Sequence, residues 1–137
     1  MDHQAILDEA NAAASAAILA KFKTGEKEQP FNCGFAWVTI DGLTPLAFYC
    51  RKKIREAGAR LEGVDKRIAM GNAENQYGSK GYPSGWQFWK PGDWPTTAQA
   101  GTQVYQQDMD FHVAGAKAFQ LVLAKYGISA TVGSRLD

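Results

Sequence analysis

Residues 33–41, CGFAWVTID, are apolar on both faces of an extended chain. In a strand, Ala36, Val38 and Ile40 point one way, and Phe35, Trp37 and Thr39 the other. The β-branched and aromatic residues favour a pleated backbone. A strand apolar on both sides belongs at the centre of a sheet that is covered on both faces. That requirement narrows the chain to folds that lay helices, or a second subunit, against a sheet.

Helical signals flank this strand. Residues 4–22 are Ala-rich and predict a helix with Ile6, Ala10, Ala13, Ala17 and Phe22 near one stripe. A polar linker with Gly25 and Pro30 follows over 23–32. After Asp41-Gly42, Thr44 is a good N-cap and Pro45 a good first helical residue. That helix is expected from Leu46 to Ala57, with Gly58 as the C′ glycine. Leu46, Cys50, Ile54 and Ala57 face inward, and Arg51, Lys52, Lys53 and Arg55 lie mainly on the outside.

Residues 59–70 predict a second strand, bulged at Gly63. Residues 71–84 predict a long polar loop, and 85–90 a short strand ended by Pro91-Gly92. Residues 91–107 are irregular, with Val104-Tyr105 extended. Asp108 or Asp110 caps the last helix, which runs to Gly127. Its stripe is Phe111, Gly115, Ala118, Phe119, Val122 and Tyr126. Residues 128–132 form the final strand, and GSRLD is the tail.

The predicted class is α+β: a ferredoxin-like βαββαβ antiparallel sheet with an additional N-terminal helix. The 137 residues suit one domain. Residues 1–30 would be the helix and linker, and 31–137 the ferredoxin-like core. Both helices of such a motif lie on one face of the sheet. The other face, bearing Trp and Phe, then needs the N-terminal helix or a subunit to cover it.

Charge and cysteine usage bound the function. A net charge of +1 gives no broad basic face, so no nucleic-acid partner and no membrane attraction are expected. The longest apolar stretch, Ala12–Ala20, is interrupted by Ser15 and too short to span a bilayer. Cys33 and Cys50 form no CxxC pair, and no signal-type apolar segment opens the chain. A reduced, cytoplasmic protein is expected.

No motif for a metal or cofactor emerges. His3 and His112 lack ligands at metal spacing, and His112 reads as a partly exposed structural residue. The two thiols have no neighbouring base and read as structural. Glu74, beside Asn72, Asn75, Gln76 and Tyr77, is the candidate for acid–base work, against the alternative of a solvated loop carboxylate. The Gly-rich stretch 78–85 with Lys80 is a candidate phosphate cradle, against a mobile loop.

The sixteen aromatic residues carry the main functional signal, because three of the four Trp fall between residues 86 and 94. Tyr77, Tyr82, Trp86, Phe88, Trp89 and Trp94 form the constellation. Trp86 and Phe88 share one strand face, and Gln87 and Trp89 the other. Aromatic stacking beside Asn, Gln and Lys donors is how proteins hold a nucleobase and its phosphates. A core or subunit interface is the competing use.

CGFAWV at 33–38, the Trp-bearing strand, the Ala-Phe helix and GSRLD at 133–137 together resemble a group of small bacteriophage proteins. The resemblance covers Cys33 to Asp137 and carries no catalytic residues over. In architecture the chain also resembles the PII signalling family, which binds nucleotides between subunits. It resembles as well the phage S-adenosylmethionine lyases, whose chemistry relies on a carboxylate at such a cleft.

Together these imply a phage-type homo-oligomer that sequesters a nucleotide-derived signal between subunits in the host cytosol. A cyclic nucleotide or an ADP-ribose derivative is the expected ligand. Trp86, Trp89 and Tyr82 would stack, Tyr77 would join the ligand site, and Asn72, Gln76, Lys80 and Arg135 would supply polar and phosphate contacts. The alternatives are a lyase-like enzyme with Glu74 catalytic, and a protein-binding inhibitor of a host factor that uses the Trp face.

Overall fold

The computed structural model describes residues 1–24, 34–101, 104 and 109–136. Its elements are α1 (His3–Lys23), β1 (Gly34–Ile40), α2 (Pro45–Gly58), α3 (Gly63–Tyr77), β2 (Ser79–Lys80), β3 (Trp86–Trp89), α4 (Thr97–Ala100), α5 (Met109–Lys125) and β4 (Ala130–Leu136). The class is α+β, with a four-stranded sheet in the order β2-β3-β1-β4.

Neighbouring strands are antiparallel. Ser79 pairs with Gln87 and Lys80 with Trp86. Gly85 lies against Ile40, while the Lys90 amide donates to the Ala36 carbonyl at 3.0 Å. Gly34 lies against Arg135 and Leu136, and Trp37 covers Gly133. The connections are not the single helices of a βαββαβ motif. Two helices, α2 and α3, lie between β1 and β2, and α4 and α5 lie between β3 and β4.

The chain divides into two compact units, Met1–Val38 with Lys90–Asp137, and Thr39–Trp89. In the first, the Asp2 carboxylate caps α1 by accepting the Ala5 amide at 3.0 Å. Lys21 and Lys23 sit in the last turn, where cations complement the helix dipole. The buried stripe is Ile6, Leu7, Ala10, Ala14, Ile18 and Phe22, and it packs on α5. Ala13 and Ala17, expected on that stripe, are half-exposed, because the larger Leu7 and Ile18 draw the buried face round by one residue.

On α5 the buried residues are Phe111, His112, Gly115, Ala116, Phe119 and Leu123. The expected Ala118, Val122 and Tyr126 are only half-buried. His112, expected partly exposed, is 2 % exposed. The reason is the segment after β3, which brings the Trp94 ring edge-on to it at 4.9 Å. Phe22 stacks on Phe111 at 4.1 Å, with Trp94 against both rings. Cys33, Tyr105 and Asp108 lie outside the described residues; Asp110 is in the first turn of α5. The last strand extends through Leu136, so most of the expected tail is β4.

In the second unit, Thr44 caps α2 by accepting the Ala47 amide at 3.2 Å, with Pro45 first in the helix. Leu46, Cys50 and Ile54 are buried as expected, but Ala57 is exposed. Gly58 is not a C′ residue. It is the last residue of α2, and a Cβ there would meet Met70 of α3 at 2.8 Å.

The largest correction concerns residues 59–84. The expected strand at 59–70 and much of the expected loop at 71–84 form one helix, α3. Glu62 makes no side-chain capping bond and no α3 residue is buried, so neither a start signal nor a core stripe marks it. The remainder is the short β2–β3 hairpin.

Candidate functional site

The expected constellation does not converge. Trp86 is buried, and its indole N–H donates to the Tyr77 carbonyl at 2.8 Å. The Arg51 guanidinium lies 4.9 Å from the Trp86 ring and 5.4 Å from that of Phe48. Arg51 also donates to the Gly42 carbonyl at 2.6 Å. Trp86 is therefore a packed anchor for α3 and α2, its π face occupied by an arginine of the same unit. Beside it, burial pushes the Cys50 thiol up to about 12, which leaves no thiolate nucleophile at neutral pH.

Lys80 pairs directly with Trp86 and so shares its face of the hairpin. Trp89 alternates onto the opposite face with Gln87. Trp89 is 44 % exposed, and Tyr82, in the turn, is 89 % exposed. Tyr77 is half-buried, its ring edge-on to Tyr49. Asn72, Glu74 and Gln76 stand exposed on α3. Asn72 and Gln76 share a side there, while Glu74 is turned about 200° from Asn72 at 100° per residue. Glu74 thus lies on a different side of α3 from Asn72 and Gln76, and Tyr77, one turn on, lies toward its own side. Arg135 is on β4, in the other unit.

A different set does converge, within the first unit. The inward face of β1 carries Gly34, Ala36 and Val38, all buried; Phe35 and Trp37 alternate outward and are half-buried. Trp37 lies across Gly133 of β4, where an added Cβ would come within 2.5 Å of its ring. Glycine at 133 lets the indole lie on the neighbouring strand. The same register places Arg135 across from Phe35, on the face that Gly133 and Trp37 share.

Lys90 completes the group. Its Nζ is 4.8 Å from the centre of the Phe35 ring. Its backbone has φ 47°, and among the described residues it alone is a non-glycine with positive φ. Such a conformation costs on the order of 1–2 kcal/mol. Here it accompanies a lysine held over an aromatic ring. Phe35 and Trp37 thus share one face of β1, with Lys90 over the Phe35 ring and Arg135 on the adjacent strand β4.

No protein-family model, curated protein or solved structure matches this chain. The site must therefore be judged from its chemistry. Its groups are two half-buried aromatic rings, Phe35 under the Lys90 ammonium and Trp37 against Gly133, with Arg135 on the neighbouring strand. Among the described residues, no three His, Cys, Asp or Glu side chains are grouped to hold a metal ion.

The alternation of β1 was legible in sequence, and it puts Phe35 and Trp37 on one face. What sequence lacked was the strand across from them. Gly133 and Arg135 follow the apolar run 128–132 in a stretch whose residues carry no strand pattern, and nothing local ties Lys90 to Phe35.

Proposed function

We propose that this chain is a binding protein for a nucleotide-derived ligand, held by stacking on Phe35 and Trp37 and by phosphate contacts from Lys90 and Arg135. The observation that carries this reading is the Trp37 indole laid over Gly133 beside a Phe35 ring already engaged by a cation. A planar heteroaromatic base can stack on such surfaces whatever its sequence identity, and its phosphate satisfies the cations. Trp89 and Tyr82 remain exposed on the other unit, in keeping with the aromatic emphasis of the sequence.

The same reading takes the sheet as an elaborated ferredoxin-like one. Its support is the order β2-β3-β1-β4 with antiparallel neighbours, which makes β1 a central strand. The additional helices α3 and α4 then lengthen the crossovers. Sequestration of a signalling nucleotide, the role implied by the resemblance to bacteriophage proteins, requires stoichiometric binding without turnover.

Titration calorimetry with adenosine nucleotides, cyclic nucleotides and ADP-ribose tests the reading, with mass analysis of the ligand afterwards. Trp37→Ala is expected to weaken binding by about 1–3 kcal/mol, the worth of one stacked base. Native mass spectrometry of the same complex reports whether the chain is a homo-oligomer. A ligand that binds equally well to Phe35→Ala, Trp37→Ala and the native chain would place binding elsewhere. A chemically altered ligand would make the protein an enzyme.

A further inference from the structure

We propose that the exposed side of α3 is a self-association surface, on which α3 of a second copy of the chain lies antiparallel across a twofold axis. The proposal goes beyond the ligand reading above and does not depend on it.

One side of α3 is packed and the opposite side is not. At about 100° per residue, Ala69, Met70, Ala73 and Tyr77 gather on one side. These are its half-buried residues, and that side lies on α2, where Met70 meets Gly58 and Tyr77 stands edge-on to Tyr49. The same rotation collects Val64, Ile68, Gly71 and Asn75 about 180° away. Val64 and Ile68 are each 57 % exposed, and Gly71 and Asn75 are exposed with them. Steps of four, three and four residues make this row a helix–helix seam.

Gly71 is the second ground. Glycine inside a helix weakens it. A Cβ at Gly71 would meet no neighbouring heavy atom within 4 Å, so no contact within the chain calls for glycine there. A second helix lying on the seam would call for it, because facing layers interdigitate when a large residue meets a small one.

The pattern also selects the occupant. Two copies of α3, laid antiparallel and overlapped along nearly their whole length, set Ile68 of each against Gly71 of the other. Val64 then faces Asn75 at the two wet ends of the seam. Arg67 and Glu74 border the seam on one flank, Asp65 and Asn72 on the other. In the antiparallel pair Arg67 of one copy meets Glu74 of the other, and Asp65 meets the Asn72 amide, each contact made twice by symmetry. No charge on either flank directly faces its like. A parallel pair would stack Gly71 on Gly71 and set Arg67 against Asn72 instead of Glu74. Among the described residues, these four side chains have no hydrogen bond or ion pair within the chain. The surface is complementary to itself, as a twofold interface requires.

α3 is about 22 Å long, so this pair alone buries less than the roughly 1,200 Å² of a stable complex. Association is expected to be weak, with a Kd on the order of 100 µM. The dilute chain, at the low-micromolar concentrations of exchange measurements, then has α3 uncovered.

Sedimentation equilibrium of the full chain from about 5 to about 500 µM is the test. The mass is expected to rise from one chain toward two and no further. Ile68→Arg is expected to hold the chain monomeric throughout, with its helical circular dichroism unchanged. Arg67→Glu and Glu74→Arg are each expected to weaken the dimer about fivefold, because each sets like charges together. An equimolar mixture of those two variants restores opposite charges at both contacts, as does the double variant. Both are expected to return to within about twofold of the native affinity.

A native chain that stays monomeric at the highest concentration would overturn the proposal and leave the seam to a different partner. A dimer that Ile68→Arg leaves intact would overturn it by placing association on another surface. Single charge variants that dimerise as well as the native chain, or that weaken the dimer without rescue in the mixture, would overturn the antiparallel pairing.

Discussion

Cys50 shows how far one residue's environment departs from what its sequence position reveals. The spacing of α2 placed it on the inner stripe, and it is fully buried there. Burial pushes its thiol up to about 12. Iodoacetamide at pH 8 is therefore expected to leave Cys50 unmodified in the folded chain and to label it fully in denaturant, as read by peptide mass mapping. Native labelling at the rate of an exposed thiol would contradict this. The linkage has a definite sign. An unfolded thiol ionises near about 8.5, so between there and about 12 the unfolded state holds fewer protons than the folded one. This group's contribution to stability is intact below pH ~8.5 and falls as pH rises through that window. The aromatic residues divided similarly. Alternation identified the faces of β1 and β3 correctly, but it could not show that Arg51 occupies the Trp86 ring or that Gly133 lies under Trp37. Those contacts join residues far apart in sequence, and nothing in a local pattern encodes them.

Among the elements, the helices that bury a stripe were legible and the one that buries nothing was not. α1, α2 and α5 each announce themselves through propensity, a cap or apolar spacing. α3 has Gly63 at its start and β-branched Val64 and Ile68 on an exposed side, so its composition imitates a strand. The pairing of α1 with α5 depends on close approach. A Cβ at Gly115 would come within 2.8 Å of the Pro91 carbonyl oxygen and 3.0 Å of Ile18. Gly115→Ala is expected to destabilise the chain by about 1–3 kcal/mol, the usual effect of overpacking, as read from denaturant midpoints. An unchanged midpoint would show that the backbone there yields freely. The same helix pair is joined at its other end by Glu9, which accepts hydrogen bonds from Lys125 and Tyr126. Those two bonds hold the Glu9 carboxyl below its ordinary range. A lowered folded value means that the contribution is present above the unfolded value near about 4.3 and is lost as pH falls through the folded one. Glu9→Gln should flatten the acid limb of stability against pH in that range and leave the slope above pH 6 unchanged. A variant as acid-sensitive as the native chain would show that the carboxylate is solvated in solution.

For the whole molecule, the distribution of burial implies a distribution of stability. In the unit containing α1 and α5, apolar burial runs along both helices, at Ile6, Leu7, Ile18 and Phe22 and at Phe111, Phe119 and Leu123, and Ile18, Phe22, Ala100 and Phe111 form one cluster. In the unit Thr39–Trp89, burial is concentrated on α2 and β3, at Leu46, Cys50, Ile54, Trp86 and Phe88. α3 is attached through the indole bond to the Tyr77 carbonyl and through Met70 against Gly58, with Val64 and Ile68 each 57 % exposed. A helix without a buried face owes little to packing, and isolated helices of about this length are marginal in water. Local opening of α3 should therefore cost much less than opening of α1 or α5. Hydrogen–deuterium exchange read by mass spectrometry is expected to show amides 64–74 exchanging at least a hundredfold faster than those of α5, with protection returning at Tyr77 and across β3. Gly58→Leu, which collides with Met70, should accelerate α3 further while leaving α1 and α5 unchanged. Equal protection in α3 and α5 would mean that the exposed face of α3 is covered in solution. Comparing exchange across a range of protein concentrations would then show whether a second copy of the chain provides the cover, since only self-association makes that protection concentration-dependent.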